Sequence, residues 1–341
     1  MEAFESLGFS GSSLAKMLSK NPAVLERDAH AVVEFFRAHG FSDKQITTLT
    51  MKLPQLYLYN AEKIFKPKLE FFKSLGLSDL EIAKLLSAAP YVLQASLEKQ
   101  IILNLQGLRR IVGTDENVLK VIKAYFPVIR RSVVHTLQPN IATLISHGVP
   151  QSLVLKVFFR RPRSLLICGN RFTEIVSEVM KVGFDPHYLS FVLAIISMAL
   201  NSKTMWEQKV ETFRSFGLSD DEIYATFKRL PLCMSCLEKK IKKMMGFFVN
   251  EFKMKPSMIS NSPTLLMHSL EKRVIPRCSV MQVLMLKGLI EEDIGIVSMV
   301  TMAEKKFRVK FVSKYQNEVP DVVRAHQGKI EFQGLPIAMK M

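Results

Sequence analysis

Leu75-Gly76-Leu77-Ser78-Asp79-Leu80-Glu81-Ile82-Ala83-Lys84-Leu85-Leu86-Ser87-Ala88-Ala89-Pro90 is the stretch that decides the fold. Ser78 and Glu81 stand at the spacing of a capping box, in which each side chain satisfies an amide hydrogen that a starting helix leaves orphaned. Ile82, Leu85 and Leu86 follow at i, i+3 and i+4, one apolar stripe of a helix. Pro90 ends that helix, because its ring clashes with the preceding turn and it has no amide hydrogen. Gly76 closes whatever helix came before, so the stretch is one helix with a marked start, a buried face and a marked end.

Working outward, the glycine recurs at Gly8, Gly40, Gly76, Gly113, Gly148, Gly183 and Gly217, at spacings of 32 to 37 residues. Fourteen residues after each stands a proline (Pro22, Pro54, Pro90, Pro127, Pro162 and Pro231), except after Gly183, where Ser197 takes the place. Six residues after each glycine is an aliphatic side chain: Leu14, Ile46, Ile82, Leu119, Val154, Leu189 and Ile223. Gly40 and Gly217 are followed by further capping boxes, Ser42 to Gln45 and Ser219 to Glu222. A second helix is predicted to start near Asn60, Ser96 or Ser269, each a capping oxygen ahead of a Glu suited to the positive helix end, and to run to the next glycine. Two amphipathic helices cannot bury their faces alone, so such repeats must stack. We therefore expect an all-α fold, a superhelical α-solenoid of about nine repeats of roughly 35 residues. The last units are irregular: the one near Lys253 keeps Pro263 but no glycine, and the final one keeps Gly288 and Ile294 with Met302 at the proline position. Residues 1–315 are read as the repeat domain and 316–341 as a C-terminal cap and tail.

The 341 residues are 48% hydrophobic and 23% charged, a composition that excludes disordered, collagen-like and disulfide-scaffold classes. Lys and Arg number 47 against 31 Asp and Glu, a net charge of +16, which favours a polyanionic partner. The net charge is +1 over residues 1–100, +7 over 101–200 and +8 over 201–341, so the attraction lies in the middle and C-terminal parts. Four cysteines, Cys168, Cys233, Cys236 and Cys278, are too few and too irregular for a secreted disulfide framework. The longest apolar run, Tyr188 to Leu200, has 13 residues and falls short of the roughly 18–20 that span a bilayer. The first eight residues hold two acids and no arginine, unlike an organelle presequence, and Leu7-Gly8 reads as the end of a helix pair whose beginning is missing. We expect the natural precursor to be longer at its N-terminus, with any targeting segment outside this chain.

Leu75-Gly76-Leu77-Ser78, then Ile82, Ala89-Pro90-Tyr91-Val92-Leu93 and Leu97-Glu98-Lys99, resemble the mitochondrial transcription termination factor (mTERF) family, the expanded plant branch most. Lys66-Pro67-Lys68-Leu69-Glu70-Phe71-Phe72-Lys73-Ser74-Leu75-Gly76 is similar to the end of that family's second helix, and the likeness covers roughly residues 5 to 315. The resemblance implies a superhelix of repeats with two α-helices and a short 3₁₀ turn each, whose basic inner surface accommodates nucleic acid. It also implies an organellar role in transcription termination or initiation, in intron splicing or in ribosomal RNA maturation, with a mitochondrial location and the chloroplast as alternative. Tetratricopeptide repeats fit less well, since their Trp-x₂-Leu-Gly-x₂-Tyr run does not recur and Trp206 is outside such a frame.

Basic residues cluster about the prolines. Residues 156–171 contain Lys156, Arg160, Arg161, Arg163 and Arg171 and no acid, a density that a polyanion explains better than solubility does. Arg130, Arg131, Arg160, Arg161, Arg163 and Arg171 are the first candidates for bidentate phosphate contact or stacking on bases. Lys239, Lys240, Lys243, Arg273 and Arg277 form a second rank. Nine residues after the proline position stand Lys63, Lys99, Arg171, Lys240 and Lys272, a row of cations that stacked repeats would align along one edge. Against this, Glu62-Lys63, Glu98-Lys99 and Glu271-Lys272 read equally well as solvated helix starts. Tyr125, Phe126, Phe158 and Phe159 could stack on bases but sit at the spacing of core residues.

Phosphate-loop, dinucleotide-turn, metalloprotease and nucleophile-elbow motifs do not occur. Cys233-Met-Ser-Cys236 has redox or half-zinc spacing without a second ligand pair, and reads as packing. The expectation is a monomeric nucleic-acid-binding protein without catalysis, metal or cofactor, with double-stranded DNA the first partner and RNA the alternative. A protein-interaction scaffold is the competing class. Membrane-surface binding is disfavoured, because no helix concentrates cations opposite an apolar face.

Overall fold

The computed structural model describes residues 2–26, 28–130, 133–290 and 295–334; Arg131 and Ile294 lie outside the described residues. The chain is a helical-repeat solenoid, and among the described residues there is no strand. Its residues group into two compact units, 1–173 and 174–341. The first holds the leading helices Gly11–Lys20, Asp43–Lys52, Asp79–Ala88, Asp115–Ala124 and Gln151–Arg160. The second holds Leu189–Ala199, Asp220–Arg229, Pro256–Asn261 and Ile296–Thr301, so nine leading helices are described, as the spacing predicts.

The punctuation acts as its chemistry requires. All seven anchor glycines have φ between +80° and +93°, the left-handed conformation that ends a helix and that side chains resist. The three capping boxes are formed: Ser42 with Gln45, Ser78 with Glu81 and Ser219 with Glu222. Residues before the prolines are driven from the helical region by the proline ring, with Leu53, Ala89, Arg161, Leu230 and Ser262 all near φ −140°, ψ 70° (φ from −146° to −132°, ψ from 60° to 85°). A 3₁₀ turn begins at each of Pro54, Pro90, Pro162, Pro231 and Pro263. Where Ser197 replaces proline, the helix runs on to Ala199, no such turn forms, and Lys203–Ser215 follows directly at a bend of 107°.

The degenerate unit has a physical account. Lys253 is the one described non-glycine residue with positive φ, at 61°, and it occupies the bend that glycine makes elsewhere. The helix after it, Pro256–Asn261, has six residues where its counterparts have ten, so Pro263 follows the bend by ten residues rather than fourteen. The repeat has lost one helical turn. In the final unit Met302 begins no 3₁₀ turn, and Glu304–Phe307 starts two residues later.

Second helices often open on a wider turn than the sequence implies. Leu97–Ile102, Val133–Leu137 and Leu270–Val274 are π-helical, with the amides of Ile101 and Val274 reaching five residues back to the carbonyls of Ser96 and Ser269. Leading helices bury their stripe, as with Ile82 and Leu86 or Ile223 and Phe227, each contributing roughly 1.5–3 kcal/mol. Turns of consecutive repeats touch: Pro22–Glu26 meets Pro54–Leu58, Pro90–Gln94 meets Phe126–Arg130, and Pro231–Ser235 meets Pro263–Met267. Within each unit these turns make a common edge. The helix Asp321–His326 packs on Ile275–Leu286 at the C-terminal end.

Candidate nucleic-acid interface

Many cations are already committed to the fold, and two devices account for them. At the bends, Arg37 pairs with Asp43, Lys73 with Asp79 and Arg214 with Asp220, at 2.7–2.8 Å, clasping the end of one repeat to the start of the next. Arg109 does the same with Asp115 at 3.2 Å. Between repeats, a buried polar side chain of the second helix donates to a carbonyl 25 residues later. Lys68 Nζ donates to Leu93 O, Asn104 Nδ2 to Ile129 O at 3.0 Å, Asn140 Nδ2 to Leu165 O at 3.0 Å and Lys209 Nζ to Met234 O at 2.8 Å. Burial holds both lysines below the ordinary lysine pKa. These ties were not anticipated from sequence, although a polar residue eight positions before Gly76, Gly148 and Gly217 was the available signal.

Arg277 belongs to this set and corrects the second-rank reading. Its side chain is 1% exposed, and Nη1 donates to the carbonyls of Met299, Val300 and Met302 at 2.7–3.0 Å. Nη2 pairs with Glu304 at 2.6 Å, and the guanidinium lies 4.4 Å from the centre of the Phe307 ring. No phosphate can reach it. Arg273 is half-buried and donates to Val300 O at 2.9 Å and to the carbonyls of Thr301 and Met302, so it too serves the fold first. Burial, with Arg273, Arg277 and Lys240 close by, holds His268 below its ordinary value.

The remaining candidates divide by what holds them. Lys240 is half-buried and donates to Met267 O at 3.1 Å, and Lys243 pairs with Glu271 at 3.5 Å. Arg171 is half-buried and already interacts within the chain. Lys239 is exposed, and among the described residues it pairs with no carboxylate. Arg130, Arg160, Arg161 and Arg163 are exposed, and among the described residues none of them pairs with a carboxylate. They stand on the turn edge of the first unit: Arg130 ends Phe126–Arg130, Arg160 ends Gln151–Arg160, and Arg161 and Arg163 flank Pro162. The backbone there is held, since Arg161 O accepts from both the amide and the hydroxyl of Ser164, at 3.1 and 2.7 Å.

The row at the second-helix starts is also placed. The amides of Lys63, Lys99 and Lys272 donate to Asn60 Oδ1, Ser96 Oγ and Ser269 Oγ at 3.0–3.2 Å, so each lysine sits in the first helical turn and is exposed. Glu62 pairs with Lys66 and Glu271 with Lys243, not with the adjacent lysine of the row. A cation at the positive end of a helix is locally unfavourable, and the two together attract an anion.

Phe126 and Phe158 are buried in the core, whereas Tyr125 and Phe159 are half-buried, Phe159 beneath Lys120 Nζ at 5.5 Å. The aromatic residue missed from sequence is Tyr91, 47% exposed on the turn edge, with the Arg130 guanidinium 5.9 Å from its ring centre. Cys233 and Cys236 are buried free thiols; burial pushes the Cys233 pKa up to about 12 and that of Cys236 upward. Among the described residues no group of three His, Cys, Asp or Glu side chains could hold a metal ion. No single described helix is long and apolar enough to cross a membrane.

No curated protein matches the chain. The mTERF family model matches residues 33–197 and 194–308, segments that together take in most of the chain. With its repeats, turns and cationic edge, the chain belongs to the mTERF family, whose members are organellar nucleic-acid-binding factors.

Proposed function

We propose that the chain binds double-stranded DNA along the basic turn edge of its repeats and regulates organellar transcription, termination above all, by occupying a site without catalysis. The observation that carries this reading is the set Arg130, Arg160, Arg161 and Arg163, exposed on the turns of the first unit and, among the described residues, without carboxylate partners. Exposed guanidinium groups on a held backbone suit bidentate phosphate contact, and each neutralised phosphate releases counterions. Any sequence discrimination would come from the same arginines reaching base edges. The protein acts as a monomer, in the mitochondrion or, as the alternative, in the chloroplast.

The second reading, an RNA-binding factor for splicing or ribosomal RNA processing, is favoured by Tyr91, since single-strand recognition uses exposed aromatic and guanidinium planes on which bases stack. Fluorescence-anisotropy titrations against duplex DNA, single-stranded RNA and heparin, between about 50 and 200 mM salt, separate the readings. Saturable preference for duplex supports transcription, and preference for RNA moves the role to processing. The triple variant Arg160→Ala, Arg161→Ala, Arg163→Ala should weaken duplex binding and reduce the salt slope by about 2 to 3. Unchanged affinity at every salt would refute this placement of the interface.

A further inference from the structure

Sulfur atoms from two consecutive turns meet in the second unit. The turn Pro231–Ser235 carries Cys233, and Cys236 follows it, its amide donating to Cys233 O at 3.2 Å. Side chains at i and i+3 of a 3₁₀ turn eclipse, so both thiols lie on one face. The next turn, Pro263–Met267, ends on Met267, whose Sδ stands 3.9 Å from Cys236 Sγ. Packing alone does not call for sulfur at the two cysteine positions. There the turns begun by Pro54, Pro90 and Pro263 hold Leu56 and Tyr59, Val92 and Ala95, and Leu265 and His268.

The surroundings of these sulfurs are cationic. The buried Lys209 donates from Nζ to Met234 O at 2.8 Å, the carbonyl between the two cysteines, and Lys240 Nζ donates to Met267 O at 3.1 Å. Each sulfur-bearing turn thus has an ammonium group seated on its backbone. Cys236 Sγ itself makes only a long contact, to Leu266 O at 3.7 Å. Met267 is exposed, which gives the two buried thiols a way to solvent past its side chain.

We propose that Cys233, Cys236 and Met267 bind one soft monovalent cation, copper(I), and so link two consecutive repeats. Bonds from sulfur to a closed-shell d¹⁰ ion are about 2.3 Å, and two of them opened to a trigonal angle span about 4 Å, which matches the Cys236–Met267 separation. Thiolate and thioether ligands together select copper(I). A structural zinc site takes four Cys, His or carboxylate ligands, and among the described residues no third such side chain joins the two cysteines. On binding, both S–H bonds break, the two protons pass to water, two sulfur–copper bonds form and Met267 adds a lone pair; the copper is neither oxidised nor reduced. The filled site carries one negative charge, which the ammonium groups of Lys209 and Lys240 balance.

The test is anaerobic titration of the reduced full chain, freed of nucleic acid and carrying Cys168→Ser to remove the exposed thiol, against copper(I) held by bicinchoninate. Withdrawal of one copper per chain is expected, with a first shell of three sulfurs by X-ray absorption. The melting temperature should rise, since a ligand held only by the folded chain stabilises it. Cys236→Ser should abolish the withdrawal. Met267→Leu keeps the apolar bulk and should weaken affinity about tenfold or more, because even outer-shell partners of a metal are worth about 10–100-fold. Far-UV circular dichroism and Trp206 fluorescence check that both variants are folded. No withdrawal of copper, an unchanged affinity in Met267→Leu, or a shell of only two sulfurs in the parent would overturn the proposal.

Discussion

Replacing Arg277 by methionine tests whether this arginine holds the fold or the ligand. Methionine keeps the apolar stem but removes Nη1 from the carbonyls of Met299, Val300 and Met302 and Nη2 from Glu304. A hydrogen bond to a charged group contributes about 1.5–3 kcal/mol, and a buried carbonyl left without a donor costs about 1–3 kcal/mol. These do not add, because one nitrogen serves three acceptors. Removing a buried guanidinium also relieves a desolvation penalty of several kcal/mol. That penalty is real here, since Arg277 Nε is buried without a partner. The balance is a destabilisation of about 3 kcal/mol, at the lower end for breaking a buried pair. Trp206, the single tryptophan, lies in the same compact unit and against Phe227, so its fluorescence reports this unit's unfolding in urea. With a urea dependence of about 2–3 kcal/mol per molar, the midpoint should fall by roughly 1–1.5 M. At temperatures where the variant stays folded, its salt slope for nucleic acid should match the parent's. A midpoint shift below about 0.3 M, or a slope lowered by about one, would refute the assignment of Arg277 to the fold.

Three further outcomes follow from the structure. Lys253→Gly removes a side chain from a left-handed backbone position and should stabilise the second unit by about 0.5–1 kcal/mol, the relieved strain exceeding glycine's added chain entropy; a lowered urea midpoint would show that the lysine side chain has a role of its own. Cys168 is the one exposed thiol of four, so the native chain should react with a disulfide reagent at a single site and the denatured chain at four. Burial raises the folded pKa of Cys233 from 9.0 to about 12, so its contribution to stability is whole below pH 9 and is lost as pH rises from there toward 12. The slope is at most about 1.4 kcal/mol per pH unit. Lys209 beside it, held below the ordinary lysine value, acts in the opposite sense, so the check is the difference between parent and Cys233→Ala. The variant's urea midpoint should fall less steeply between pH 9 and 10.5, and an identical fall in both chains would contradict the burial argument.

The repeat, its helix starts and its bends were legible because each rests on interactions a few residues apart. Ser78 reaches the Glu81 amide, Pro90 constrains Ala89, and Gly76 turns left-handed for want of a Cβ, whatever the rest of the chain does. The same locality explains the first-rank arginines. No acid lies close along the chain to Arg160, Arg161 or Arg163, and these three are exposed without a carboxylate partner among the described residues, whereas Arg171, three residues before Glu174, is half-buried and interacts within the chain.

What sequence could not settle was the fate of cations whose partners arrive from the next repeat. Arg277 and Arg163 look alike in a linear reading, yet one is buried against the carbonyls of Met299, Val300 and Met302 and the other stands exposed on a turn. Glu62 and Lys63 are adjacent in the chain but point apart on the helix, and Glu62 takes Lys66, one turn on. The ties from Lys68, Asn104, Asn140 and Lys209 exist only after stacking brings residues 25 apart into contact. Local sequence determines the helices, caps and bends, because backbone hydrogen bonding and sterics are short-ranged. Tertiary packing decides which charges remain available, because desolvation and pairing depend on the neighbouring repeat.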